Sequence, residues 1–258
     1  MKLSIFSTHK NKTKHIEDLI KNEAFKYDLV FDDEHPDVII YIGGDGTFLR
    51  EVQSNIDRFD DVVFIGINKG TLGYFYDADE NDIEDLFLRL ISSSLVEHHI
   101  PLLMGKASNN FGEVEFFAVN EVVVNCVGGA ICTEVFINNN YFEKYVGSGL
   151  LISSSYGSTG LNKSYNGPVI KNYLRCNCLT PIAPISNAVY NSFVSPFVLS
   201  SDDVISIRGG INNATICFDN VVIDDKFDTL DIIPAKAYVR VLYRQDRDEL
   251  YPIRKSFL

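Results

Sequence analysis

No uninterrupted apolar run in the 258-residue sequence approaches the roughly 20 residues needed to cross a bilayer, and nothing resembles a secretory signal. A soluble, cytoplasmic protein is the expectation. An even set of cysteines is lacking too: Cys126, Cys132, Cys176, Cys178 and Cys217 argue against a disulfide framework and for a reducing compartment. Cys176 and Cys178 have no second close pair to complete a metal site. His98 and His99 would point to opposite faces of a strand, so no protein-held metal is expected. Positive charge is in deficit, with 23 Lys and Arg against 35 Asp and Glu and a net charge of −12. The average field therefore repels nucleic acid and anionic membranes. A polyanionic ligand has to be held by local features: backbone amides, helix N-termini or a bound cation. Repeats, low-complexity segments and flexible linkers are also missing.

What is present is a 46% apolar chain, enough for one or two cores. Residues 1–95 alternate apolar runs with amphipathic stretches. "LSIFS", "DLVF", "DVIIYIG" and "DVVFIGIN" read as strands; Lys12 to Phe25, Thr47 to Ile56 and "NDIEDLFLRLI" read as helices. The last helix would put Ile83, Leu86, Phe87, Leu90 and Ile91 on one stripe. This pattern predicts an α/β, Rossmann-like domain with a mostly parallel sheet. From about 96 to 235 short β-branched and aromatic runs replace the helical period, which predicts an all-β domain, a β-sandwich. Asn138-Asn139-Asn140 marks a hairpin within it. The tail, about 236–258, reads as a strand and a terminal segment returning to the first domain. With no linker, the two domains are expected to abut, and motifs from both to line a cleft.

The stretch "YIGGDGTFLR", Tyr41 to Arg50, joins an apolar strand to a helix. Gly43, Gly44 and Gly46 let backbone come close to a ligand, and free amides at a helix start favour anions. The lysine of a Walker A loop is absent, as is a dinucleotide Gly-x-Gly-x-x-Gly. Asp45 admits two readings. It is a turn residue capping the helix, or it is a carboxylate that holds a divalent cation or takes a proton from an attacking hydroxyl. The position at the carboxyl edge of a sheet, and more glycines than one turn needs, favour the second and point to phosphoryl transfer. Arg50 either neutralises phosphate or is a solvated surface residue.

"GGDGT" is shared by NAD kinases, by diacylglycerol and sphingosine lipid kinases and, in variant form, by phosphofructokinase. Further stretches choose among them. "FAVNEVVVN" resembles the Asn-Glu motif of NAD kinases. "GSGLLISSSYGSTGLNKSYNGPVI", Gly147 to Ile170, resembles their long glycine- and hydroxyl-rich motif, and "INKGTLGYF" their Gly-x-Leu-Gly-Phe stretch, with Tyr74 for Phe. The resemblance to the NAD kinase family runs from Gly43 to Phe257. It implies transfer of a phosphoryl group from ATP or polyphosphate to the 2′-hydroxyl of the adenosine ribose of NAD. Asp45 would be the base; Gly43, Gly44, Gly46 and Thr47 would face the donor, whose oxygens hold Mg2+ or another divalent cation. Tyr74, Asn120, Glu121, Ser148, Thr159, Gly160, Leu161, Asn162, Lys163, Ser164 and Ala183 would hold the dinucleotide. A homodimer or homotetramer is also implied.

Four positions depart from the pattern of the family it resembles: Ser148 replaces an Asp, Ser155 a Pro, and Gly160-Leu161 an Ala-Tyr pair. Losing the Asp removes an anionic acceptor, and losing the Tyr a ring that could stack. Two rivals stay open. One is a lipid or sugar kinase on the same turn, disfavoured by the acidic charge; the other is a non-catalytic nucleotide-binding homologue, disfavoured by retention of Asp45.

Overall fold

The structure is a computed structural model in which residues 1–8, 10–70, 73–223 and 225–257 are described. Thr71 and Leu72 of the "INKGTLGYF" stretch, and Leu258, lie outside them. The chain folds as two compact units, Met1–Ile100 with Ala237–Leu258, and Pro101–Lys236.

In chain order the first unit holds β1 (Lys2–Ser7), α1 (Lys10–Lys26), β2 (Val30–Phe31), β3 (Val38–Gly43), α2 (Asp45–Ser54), β4 (Val63–Asn68), α3 (Ile83–Ile91) and the start of β5 (Leu95–Asn109). The second holds the rest of β5, β6 (Gly112–Ala118), β7 (Glu121–Asn125), β8 (Ile131–Ile137), β9 (Asn140–Ser154), the short α4 (Leu161–Ser164), β10 (Cys176–Pro184), β11 (Phe197–Ser200), β12 (Ile205–Arg208), β13 (Thr215–Phe218) and β14 (Val221–Ile223). Strand β15 (Thr229–Arg244) leads the chain back to the first unit, which ends in α5 (Tyr251–Phe257).

Parallel pairing sets the order β2-β1-β3-β4-β15 in the first unit. Such strands are covered on both faces, which is why "VIIYIG" and "VFIGIN" are apolar almost throughout. Alternation then sorts their side chains. Val38, Ile40, Ile42, Ile65 and Ile67 join Leu3 under the stripe Ile16, Ile20 and Ala24 of α1 and under Ile83, Leu86, Phe87 and Leu90 of α3. Tyr41, one residue out of phase, packs with Phe48 of α2, which also meets Phe64 edge-on and stacks on Phe75 at 4.5 Å.

In the second unit β9 is the organising strand. Its first half pairs with β8 and its second half lies between β7 and β10, so Val146 and the run Gly149–Ser154 are buried. The order β14-β13-β7-β9-β8-β12-β15 surrounds a core that includes Phe116, Leu150, Ile152, Leu179 and Ile207. The β8–β9 connection is a tight hairpin in which Asn138 and Asn139 take φ of 51° and 62°.

Several sequence expectations are corrected. The helix expected from Thr47 to Ile56 runs from Asp45 to Ser54, because Gly44, in an extended conformation, is its N-cap; Ile56–Arg58 forms a separate 3-10 turn. Asp45 makes no capping bond. Ile91 leaves the apolar stripe of α3 and is 43% exposed. The terminal segment contains a helix, α5. "RCNCL" begins strand β10, and all five cysteines are free. His98 meets Tyr243 edge-on, whereas His99 stacks on Tyr238 at 3.9 Å.

Because Phe48 is fully buried among three rings, Phe48→Ala is expected to destabilise the protein by about 3–5 kcal/mol in urea unfolding. Ile91→Ala should stay within about 0.5 kcal/mol.

Candidate active site

The glycine turn sits where β3 delivers its carboxyl end to α2. In the order 2-1-3-4 the topological switch lies between β1 and β3, the crevice where open α/β sheets bind ligands. A side chain on Gly43, at φ +156°, would come within 2.3 Å of Thr47 Oγ1, so the sharp exit from β3 requires glycine there. Thr47 Oγ1 lies 3.4 Å from Thr8 Oγ1, which places the starts of α1 and α2 side by side. A Cβ on Gly46, by contrast, would meet nothing within 4 Å. The protein itself does not demand glycine there, and the space is open to a ligand. Of the first-turn amides of α2, Thr47 N–H donates back to Gly44 O at 2.9 Å, while those of Asp45 and Gly46 have no partner within the helix by its geometry. Arg50 is exposed and Tyr74 half-buried.

Asp45 is largely enclosed, and its Oδ1 accepts two peptide N–H groups, from Tyr74 at 2.8 Å and Phe75 at 3.3 Å. Burial pushes its carboxyl up to about 6, against the lowering effect of those two amides and of Arg247. The loop that donates them is fixed in turn. The buried Tyr41 hydroxyl donates to Phe75 O, and Arg247 Nη2 donates to Tyr74 O at 2.5 Å. A Cβ on Gly66 would fall 2.3 Å from the Tyr41 oxygen, so this glycine makes room for the phenol. Arg247 lies over the ring of Tyr243 at 3.6 Å. A cavity of about 480 Å³ opens at the carboxyl ends of β4 and β15, with Asn68, Gly73, Tyr76, Arg244 and Arg247 in its walls.

The second unit carries a different kind of site. Asn120 and Glu121 stand at the entrance of β7, and the carboxylate of Asp219 collects the N–H groups of Val119 at 2.5 Å, Asn120 at 2.8 Å and Glu121 at 3.4 Å. Asp219 occupies the tight β13–β14 turn with Asn220, at φ of 43° and 68°. From the other side Ser154 N–H donates to Asn120 O, Ser154 Oγ to Val119 O, and Gly157 N–H to Ser154 Oγ. A Cβ on Gly157 would lie 2.1 Å from Asn120 O, so only glycine fits.

This bracing leaves two acceptors without donors: Asn120 Oδ1 and Glu121 Oε2 are buried and unsatisfied. Buried acceptors rarely stay unpaired, so a ligand bearing N–H or O–H groups fits here. Burial first, and the Asp219 charge second, raise the Glu121 carboxyl to about 7, while the Leu161 N–H opposes the rise. Gly160 keeps the space above it clear, since a Cβ there would be 3.3 Å from Oε2. Gly160, Leu161, Lys163 and Ser164 are exposed, and Thr159 and Ser148 half-buried. Asn162 differs from its neighbours. It is fully buried, donates to Ser158 O and Pro168 O, and accepts from Thr180 Oγ1, so its side chain is engaged within the protein. Ala183 is exposed near the end of β10 with φ of 45°.

Sequence reasoning misses three residues of these sites. Asp219-Asn220 is a two-residue hairpin signal between apolar runs, and that signal is readable. Arg247 and Tyr41 have none: a tail arginine and a tyrosine inside a strand look ordinary until the loop at 73–79 is placed on them.

A glycine turn at the switch point of a parallel sheet, bearing a half-buried carboxylate instead of a lysine, in a chain with a second, β-rich unit that has orphaned acceptors, is the plan of a two-domain nucleotide kinase. Residues 4–95 match the ATP-NAD kinase N-terminal domain and residues 119–241 the ATP-NAD kinase C-terminal domain. The chain is 32% identical over 210 residues to an NAD kinase of Latilactobacillus sakei, covering 81% of this chain and 78% of that one. To an NAD kinase of Lactobacillus acidophilus it is 33% identical over 225 residues, covering 87% and 84%. A crystal structure of an NAD kinase from Archaeoglobus fulgidus in complex with ATP superposes with a TM-score of 0.80 at 20% identity, over 99% of this chain and 98% of that one. The chain belongs to the NAD kinase family.

Asp219→Asn removes the charge that raises the Glu121 carboxyl, so that group is expected to titrate below about 7, as read by carboxyl carbon NMR. It also replaces one carboxylate acceptor over three amides, which should cost about 1–3 kcal/mol in urea unfolding.

Proposed function

We infer that this protein is an NAD kinase, a phosphotransferase with an alcohol acceptor, that phosphorylates the 2′-hydroxyl of the adenosine ribose of NAD to give NADP. The carrying observation is the half-buried Asp45 carboxylate, its Oδ1 fixed by two peptide N–H groups. With its carboxyl at about 6, it is mostly ionised at neutral pH and still basic enough to take a proton. In the reaction the 2′-oxygen attacks the terminal phosphorus of ATP or polyphosphate, the hydroxyl proton passes to Asp45, and ADP or the shortened polyphosphate leaves. Amides of the glycine turn at Gly43, Gly44 and Gly46 face the donor, with Thr47 beside them, and Arg50 lies one turn beyond.

Recognition of the dinucleotide falls to the second unit. Asn120 and Glu121 supply the acceptors, with Ser148, Thr159, Gly160, Leu161, Lys163, Ser164 and Ala183 as further contacts; the Asn162 side chain is taken up within the protein, and Tyr74 belongs to the first unit. The protonation of Glu121 near neutral pH suits it to accept from or donate to a ribose hydroxyl or an amide.

Among the described residues no group of three or more His, Cys, Asp or Glu side chains converges to hold a metal ion. The described residues build no cage for Mg2+; a divalent cation would arrive with the donor, held mainly by its phosphates, and would neutralise charge there. A Rossmann-like description of the first unit draws support from its parallel order with helices on both faces, and a β-sandwich description of the second from strands buried on the core side. A homodimer or homotetramer in the cytoplasm completes the reading. The free cysteines suit a reducing compartment, and Phe197 and Val198 stand exposed on β11, which pairs only with β10 among the described residues.

Incubation with NAD, Mg2+ and ATP or polyphosphate, with NADP read by a coupled dehydrogenase, is the test; no NADP from either donor refutes the assignment. Asp45→Asn keeps an acceptor for both amides but loses the base, so kcat is expected to drop ~10²-fold or more. Below about pH 6 the carboxylate is protonated, and kcat/KM of the parent should fall about tenfold per pH unit. The folded state holds this proton more tightly than the unfolded chain, so folding stability contributed by Asp45 declines as pH rises from the ordinary carboxyl value to about 6.

A further inference from the structure

We propose that Arg247 is a positioning residue for the reaction: by gripping the Tyr74 carbonyl it keeps the Tyr74–Phe75 peptide aimed at Asp45. The proposal rests on the reading of Asp45 as the base. Its geometry involves one peptide unit. The carbonyl of that unit, Tyr74 O, receives Arg247 Nη2 at 2.5 Å, while the N–H of the same unit, Phe75 N, faces Asp45 Oδ1 at 3.3 Å. A cation on the carbonyl polarises the peptide and strengthens its N–H as a donor. The Tyr74 N–H, on the preceding peptide, completes the grip at 2.8 Å.

Arg247 is held as a tool rather than as a surface charge. Its side chain is 12% exposed, with Asp77 Oδ1 3.9 Å from Nε. Its guanidinium lies over Tyr243 at 3.6 Å, a placement that uses the planar, stacking character of arginine. Asp77 is drawn toward Arg244 as well, whose backbone N–H it accepts at 2.5 Å. A charge at such a place is costly to bury, and the Tyr74 carbonyl gives it a use.

The groups facing Asp45 are few. Arg247 approaches from the segment after β15, Tyr76 from the loop at 73–79 and Tyr41 from β3. Around Arg247 stand Asp77, Tyr243 and His98. Among the described residues Arg247 is the cation acting on Asp45, and with the Tyr74 and Phe75 amides it holds the carboxyl down against burial. Without it the base protonates at higher pH.

The test is steady-state NADP formation across pH for Arg247→Met, Arg247→Lys, Asp45→Asn and the double variant Asp45→Asn/Arg247→Met. Arg247→Met should lose about tenfold or more in kcat with KM for NAD within about threefold, and its acid limb of kcat/KM should move up by about half a unit or more. Arg247→Lys should recover part of kcat. Since Arg247 acts through Asp45, the double variant should be no slower than Asp45→Asn. A parental kcat and acid limb in Arg247→Met, or losses that multiply in the double variant, overturn the proposal. If Arg247→Met melts below assay temperature, Arg247→Gln keeps a donor without the charge, and a parental acid limb in that variant overturns it equally. Near-parental activity of Asp45→Asn instead removes the base assignment; an inactive Asp45→Asn beside an unaffected Arg247→Met removes only the role of Arg247.

Discussion

One carboxylate oxygen, Asp45 Oδ1, and the two peptide N–H groups it accepts set the terms for the first unit. Burial disfavours the charged form, and the amides restore part of the loss without bringing in water. For that to work the loop at 73–79 must not drift. Tyr41 and Arg247 hold two of its carbonyls, and Phe48 packs on Phe75 beneath them. Strand β3 therefore serves the site twice, through the turn at its end and through the phenol two residues before Gly43. The parallel sheet is what places that phenol on the α2 side, since a shift of one residue would exchange it with Ile40 or Ile42.

The second unit solves a related problem with opposite polarity. There a buried carboxylate, Asp219, is used in organising backbone, while one oxygen of another, Glu121 Oε2, stays unsatisfied. Placing two carboxyls near each other raises the one with fewer donors. Two small residues beside them complete the bracing: the Ser154 hydroxyl bridges two backbone segments, and Gly157 lets those segments touch. Departures from the family pattern fall in the same neighbourhood. Gly160 clears the space over Glu121 where an alanine would be tight, and Leu161 contributes its amide to the carboxylate while its side chain is exposed.

Local patterns are the legible part of this molecule. The apolar runs of β3 and β4, the stripes of α1 and α3, and the Asn138-Asn139 hairpin follow from periodicity and turn chemistry, which act over a few residues. Helix ends are less so, because a glycine N-cap such as Gly44 leaves no side-chain signature. The length of β9 is hidden as well: its apolar second half reads as a separate run from its polar first half, although both lie in one strand. For the sites, Asp45, Asn120 and Glu121 stand out by context, whereas what they touch does not. Phe75, Arg247 and Asp219 reach them from 30 to 202 positions away in the chain. No pattern of neighbouring residues encodes such contacts.

The clamp of Asp219 on the Asn120 loop spans 98 to 100 positions, and this separation dictates an order of assembly. During synthesis Val119, Asn120 and Glu121 leave the ribosome well before the β13–β14 hairpin exists. Strand β7 has to wait for β13 as its antiparallel neighbour, and the first unit has to wait still longer for the final turns of β15. Such long-range closure is slow, and intermediates exposing the edge of β7 are the species prone to association. The braced form of the Asn120 loop is therefore among the last features the chain acquires, and a nascent chain ending before Asp219 carries the motif without the turn that gives it shape.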